Sequence, residues 1–245
     1  MSAKAESLST GRSRIIVALD VATPTAALAL VRRLRGRAGL FKVGSQLFTA
    51  AGPGIIRALV ARGQRVFLDL KFHDIPHIVA EACSSAADLR VSLLTVHSSG
   101  GPKMLAAARA ALEKYGRNRP RLLAVTLLTS FDERELHRAG FPGSVERNVI
   151  RLARLAKESG ADGVICAPTD SAAVRRACGP KFLIVTPGIR AGGGKKAADQ
   201  ARVATAAEAI RAGADYVVIG RAVTQAPDPQ RAFDDLALSI AALRH

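Results

Sequence analysis

The sequence predicts an α/β protein, a single (β/α)8 TIM barrel with its active site at the C-terminal ends of the strands, and three observations carry that expectation. Eight short β-branched or Leu-rich runs alternate with longer Ala-, Leu- and Arg-rich segments of helical character, the pattern of βα units around a parallel sheet. The 245 residues match the roughly 250 that one such barrel consumes. No linker or low-complexity segment divides the chain, so residues 1–13 are read as a flexible N-terminal tail and residues 14–245 as the barrel.

In chain order the strands are expected at Ile15–Leu19, Leu40–Val43, Val66–Leu70, Leu93–His97, Leu122–Thr126, Gly163–Cys166, Phe182–Thr186 and Tyr216–Ile219. The helices between them carry their own punctuation. Thr23-Pro24 reads as an N-cap followed by the first helical residue, and Gly179 lies just past the helix containing Val174 to Ala177. After the seventh strand, the Gly-rich, charged run Ala191-Gly-Gly-Gly-Lys-Lys-Ala-Ala198 fits either a mobile lid or a plain solvent loop.

Composition narrows the class. The chain is 49% hydrophobic but only 4% aromatic, with no Trp, which suits an aliphatic core and argues against a binder that stacks single-stranded bases on aromatic platforms. Its formal charge is +16, a field that attracts anions. The basic residues are dispersed, with pairs such as Arg32-Arg33, Arg175-Arg176 and Lys195-Lys196 as the longest runs, so the charge fits an anionic substrate as well as a nucleic acid. Cys83, Cys166 and Cys178 are odd in number and lack CxxC spacing, which supports neither a disulfide framework nor a zinc site. No apolar run approaches the roughly 18 residues of a membrane span, and Met1 to Ser13 is too polar for a secretory signal. A cytoplasmic protein is expected.

The chemistry collects at the strand ends. The run Val66-Phe-Leu-Asp69-Leu-Lys71-Phe-His-Asp74-Ile-Pro76 places an acid, a base and a second acid where a buried strand finishes. In an extended strand Asp69 and Lys71 share one face and Leu68 and Leu70 the other. Burying such charges costs several kcal/mol per ion unless each is partnered, so the array is either catalytic or a salt bridge closing the barrel mouth. Asp20 ends the first strand, Lys42 the second and His97 the fourth; Thr126 through Ser130 follow the fifth, Arg190 the seventh, and Gly220-Arg221 the eighth. A glycine and a guanidinium after the last strand suit a phosphate. His73 and His77 are four apart, but Pro76 starts a helix between them, which leaves His73 outside it and weakens a metal-pair reading.

These residues together resemble the orotidine 5'-phosphate decarboxylase family from Ile15 to about Phe233. The resemblance rests on Asp69-Leu-Lys71-Phe-His-Asp74-Ile-Pro76, supported by Phe41-Lys42-Val-Gly44, Thr186-Pro-Gly-Ile-Arg190 and Ile219-Gly220-Arg221-Ala-Val-Thr224. Related sugar-phosphate decarboxylases and hexulose-phosphate synthases share an Asp-x-Lys-x-x-Asp core but use magnesium; the His73-Asp74-Ile75-Pro76 continuation resembles the orotidylate branch. The resemblance implies decarboxylation of orotidine 5'-phosphate to UMP and CO2 in pyrimidine biosynthesis, without cofactor or metal. It implies that Lys71 stabilises and then protonates a C6 carbanion. Asp69 would lie by the departing carboxylate, and Lys42 and the Asp74 of a partner subunit would complete a charge network in a homodimer. Asp20 and that Asp74 would hold the ribose, Thr129 and Ser130 the pyrimidine, and Gln200, Gly220 and Arg221 the phosphate; Ile75, Pro187 and Arg190 also fall at substrate-binding positions. His77 departs from the small polar residue expected there, and Lys195-Lys196 matches no motif. The remaining alternative is a basic phosphate- or nucleic-acid-binding barrel without turnover.

Overall fold

The eight expected strands close into one parallel barrel. The structure, a computed structural model, describes residues 3–190 and 202–244. Strands β1 (Ile15–Ala18), β2 (Leu40–Gly44), β3 (Arg65–Phe72), β4 (Leu93–His97), β5 (Arg121–Val125), β6 (Gly163–Ile165) and β7 (Leu183–Thr186) follow one another around the wall. Strands β8 (Ile189–Arg190) and β9 (Ala204–Thr205) form a separate two-stranded sheet, and β10 (Tyr216–Ile219) closes the barrel between β7 and β1. The eightfold count and the strand positions are as the sequence predicts; the two-residue strands β8 and β9 are additions.

Side-chain alternation divides the core into two shells. Ile16, Ala18, Leu40, Phe67, Leu93, Leu123, Val125, Ile165, Val185 and Val218 fill the barrel interior. Their neighbours Ile15, Val17, Phe41, Val43, Leu68, Leu94, Val96 and Leu122 point outward and pack with the helices in a second, larger cluster. The helix punctuation also holds. Thr23 caps helix Pro24–Arg33 by accepting from the Ala26 N–H, Pro76 opens helix Pro76–Asp88, and Gly179 follows helix Ser171–Cys178. All three cysteines are buried and free. Among the described residues no helix is long and apolar enough to cross a membrane.

The N-terminal segment differs from expectation. Residues Ala3–Ser13 form a helix rather than a tail. It lies against the last long helix, Pro229–Ala241, so closely that a Cβ on Gly11 would come within 2.1 Å of the Ala237 carbonyl oxygen. Arg12 adds an ion pair to Asp234 at 2.8 Å, and Arg37 reaches the other oxygen of the same carboxylate at 2.9 Å. Contacts 222 residues apart in the chain hold the segment, which is why local composition does not reveal it.

Candidate active site

Continuing the inward alternation upward from the interior shell gives the floor of the site. Above Ala18 comes Asp20, above Leu40 comes Lys42, above Phe67 comes Asp69, and above Leu93 comes Thr95. These strand ends open into a cavity of about 740 Å³ lined by Asp20, Lys42, Asp69, Lys71, Thr129, Ser130, Pro187, Arg190, Gly220 and Arg221 among others. Ten of the expected site residues therefore converge.

The charges alternate along a chain of contacts. Lys71 Nζ lies 2.9 Å from Asp69 Oδ2, Lys42 Nζ lies 3.5 Å from that same oxygen, and Lys42 Nζ is 3.0 Å from Asp20 Oδ1. Asp69 Oδ1 accepts from the Thr95 hydroxyl at 3.0 Å. The Lys42 and Asp69 side chains are only 12% and 11% exposed, against 34% for Lys71, so the first two are the more tightly held and Lys71 is the more open of the two lysines lining the cavity. Gly44 makes room for this pairing: a Cβ there would stand 2.9 Å from Lys42 Nζ.

One local geometry departs from the extended strand expected at Asp69–Lys71. Leu68 pairs with Leu94 and Phe72 with Val96, so three residues of β3 face the single residue Thr95 of β4. The bulge turns Lys71 into the left-handed region at φ 53°, a conformation that costs an L-residue about 1–2 kcal/mol. Asp69 and Lys71 still meet, through the bulge and not through simple period-two alternation.

Two expected residues do not join the cavity of their own chain. Asp74 is exposed and its Oδ1 accepts from the Ile75 N–H at 2.6 Å; Ile75 is 63% exposed. Both lie in the turn after β3, outside the cavity lining. Gln200, the Gly192–Gly194 run and Lys195-Lys196 lie outside the described residues. The chain on either side of that span is held by β8 pairing with β9, Ile189 with Ala204 and Arg190 with Thr205.

Other residues went unmarked by sequence reasoning. Thr95 reads as ordinary core until its partners are seen. Arg202 is mostly buried, pairs with Asp170, and donates to the Leu128 carbonyl at 2.9 Å, tying the chain after residue 201 to the loop that carries Thr129 and Ser130. Gln225 and Val203 also line the cavity. His77 is exposed, whereas His73 stacks obliquely on His97 with ring centroids 5.3 Å apart. Burial pushes His97 below the ordinary imidazole range, helped by His73 and Lys71 and opposed by Asp69. Among the described residues no three His, Cys, Asp or Glu side chains form a group that could hold a metal ion.

Comparison with known proteins places this geometry. Residues 13–236 match the Orotidine 5'-phosphate decarboxylase / HUMPS family. The chain is 49% identical over 221 residues to an orotidine 5'-phosphate decarboxylase of Nitrosococcus oceani, covering 90% of this chain and 94% of that one. It is 50% identical over 234 residues to one of Moorella thermoacetica, covering 94% and 92%. The crystal structure of orotidine 5'-phosphate decarboxylase from Lactobacillus acidophilus superposes with a TM-score of 0.82 at 35% identity, covering 92% of this chain and 98% of that one.

Proposed function

The chain belongs to the Orotidine 5'-phosphate decarboxylase / HUMPS family, and from that premise we propose that it converts orotidine 5'-phosphate to UMP and CO2 in pyrimidine biosynthesis, using no metal or cofactor. The observation that carries the reading is the Asp20–Lys42–Asp69–Lys71 chain of contacts in a cavity that also holds Arg221. The branch signature His73-Asp74-Ile75-Pro76 favours the orotidylate reaction over the magnesium-dependent chemistry of the sugar-phosphate relatives.

In this mechanism the bond between C6 and the carboxylate breaks, CO2 leaves, and the electron pair remains on C6. Lys71 stands as an ammonium beside that carbon, stabilises the developing charge, and transfers a proton to C6 as the new C–H bond forms. The neutral amine then regains a proton from solvent. Asp69 holds Lys71 in place and faces the departing carboxylate, and Lys42 bridges Asp69 and Asp20 and offsets the repulsion between their carboxylates. Asp20 and the Asp74 of a partner subunit hold the ribose hydroxyls. Thr129 and Ser130 read the pyrimidine with Pro187 beside them, the partner subunit's Ile75 reaches the site alongside its Asp74, and Gly220, Arg221 and Gln200 hold the phosphate, with Arg190 also lining the cavity.

Magnitudes show why the remote contacts matter. Opposite unit charges about 4 Å apart are worth about 4 kcal/mol at an effective dielectric near 20, whereas demanding reactions need barrier reductions approaching about 23 kcal/mol. Lys71 alone falls short. Phosphate-binding energy, used to close the site and exclude water, supplies a further part. The buried, unpaired thiols of Cys83, Cys166 and Cys178 support a reducing, cytoplasmic setting.

The test is an ultraviolet assay following loss of orotidylate absorbance with purified protein. Stoichiometric appearance of UMP and CO2 is expected. Absence of turnover, with tight nucleotide binding, would replace this reading with a non-catalytic phosphate-binding barrel.

A further inference from the structure

We infer that Thr95 is a positioning residue for the decarboxylation, setting both Asp69 and the backbone of Lys71 through one buried hydroxyl. The inference rests on the decarboxylase reading above and concerns a fully buried residue outside the cavity lining.

The geometry is that of the bulge. Thr95 alone stands opposite Asp69, Leu70 and Lys71, because the flanking pairs are Leu68 with Leu94 and Phe72 with Val96. In an unbroken parallel ladder a backbone carbonyl would take each β3 N–H. Here the Lys71 N–H donates instead to Thr95 Oγ1 at 2.9 Å, and the same hydroxyl donates its one hydrogen to Asp69 Oδ1 at 3.0 Å. Thr95 is 0% exposed, so water does not compete for either bond. The hydroxyl's donor and one of its acceptor sites are both committed, and no aliphatic side chain can do either job.

Two consequences follow for the chemistry. Lys71 is one of only two non-glycine residues with positive φ among those described, and its N–H bond to Thr95 is what anchors that backbone. Asp69 presents Oδ2 to both ammonium groups because Oδ1 is held from the other side. Removing the hydroxyl frees the carboxylate to rotate and takes from the part-buried Lys71 N–H its acceptor. The Lys71 ammonium then loses its fixed position relative to C6, while Arg221 and the pyrimidine loop keep theirs. A misplacement of about 1 Å at a reacting group lowers rate about a hundredfold.

The experiment compares wild type with Thr95→Val, Thr95→Ser and Thr95→Ala, measuring kcat, KM for orotidine 5'-phosphate and UMP affinity. T95V should lose kcat about a hundredfold while UMP binding stays within about threefold, the signature of an interaction that matters only in the transition state. T95S, which keeps the hydroxyl, should return kcat to within about threefold of wild type. Near-normal kcat in T95V, or equal losses in T95V and T95S, would overturn the inference. Should T95V not fold, T95S and T95A leave nearly the same void and differ by the hydroxyl, so T95S should turn over at least about tenfold faster; equal rates would overturn it. An inactive wild type would instead sink the decarboxylase reading itself, and the role of Thr95 with it.

Discussion

Sharing of the site between two subunits can be tested by mixing defective chains. Asp74 lies in the turn after β3, exposed and outside the cavity of its own chain, while Lys71 points into it. Beside Asp74, Ile75 and Ile78 are 63% and 47% exposed; full burial of such a side chain is worth about 1.5–3 kcal/mol, so this face gains from being covered by a second copy. In a two-fold dimer with exchanged Asp74 side chains, pairing Lys71→Ala with Asp74→Ala gives one site with both defects and one with none. Random exchange of equal amounts makes about half of the dimers mixed, each with one intact site of two, so about one quarter of wild-type activity should appear from two inactive proteins. The reciprocal mixture sharpens the result. Wild type mixed equally with the double variant K71A/D74A should retain about one quarter of full activity if Asp74 acts across the interface and about one half if it acts within its own chain. The assay is orotidylate absorbance after partial dissociation and reassociation, with differently tagged chains to verify heterodimers. Verified K71A·D74A heterodimers as inactive as their parents would refute the shared site.

Three further outcomes are expected. Lys71→Ala should abolish turnover yet still bind UMP, whereas Arg221→Ala should chiefly raise KM and lower kcat less, a split read by steady-state kinetics. Dialysis against a chelator should leave decarboxylation unchanged; collapse restored by magnesium would move the protein to the sugar-phosphate branch. Away from the site, Arg119 grips Asp162 at 2.6 and 2.7 Å with side chains 15% and 10% exposed, so Arg119→Met should cost about 1.5–3 kcal/mol by removing charge-assisted hydrogen bonds from a buried carboxylate that keeps only the Leu122 N–H and Arg121 as partners. Burial alone would raise the Asp162 carboxyl, but hydrogen bonds from Arg119 and the Leu122 N–H, with the charges of Arg119 and Arg121, outweigh it and hold the group below its ordinary range. A depressed carboxylate stabilises the fold above its unfolded pKa of about 3.9 and loses that contribution as pH falls through the folded value. Thermal denaturation should therefore show the wild-type advantage over R119M large at neutral pH and shrinking in acid.

The barrel is legible because its signals are local. Each strand announces itself by a short aliphatic run, and Pro24, Pro76 and Gly179 mark helix ends from adjacent residues. The floor of the site is legible for the same reason: Asp20, Lys42 and Asp69 sit on the inward parity of their own strands. The bulge is not, because it is a mismatch between β3 and β4, and nothing in either segment alone records that three residues will face one. Thr95 is hidden by the same fact, being a common β-branched residue in a strand. The N-terminal helix depends on Ala237 and Asp234 at the far end of the chain, and β8 and β9 are two residues each, too short for periodicity to register.

The uneven exposure of the charge array also bears on how the reaction is driven. Lys42 and Asp69 give up most of their hydration when the barrel folds, and each is compensated there by fixed partners. Lys71 keeps a third of its side chain in water, so the cost of drying it is deferred until substrate enters. In the proposed mechanism that cost falls on binding, and contacts from Gly220 and Arg221, which line the same cavity, offset it. Contacts to the phosphate are then not a handle separate from the chemistry. On the proposed mechanism they would dehydrate Lys71, the more exposed of the two ammonium groups in the array, whose field strengthens as water leaves, which is why loss of Arg221 should reach kcat as well as KM while leaving Lys71, Asp69 and Thr95 in place.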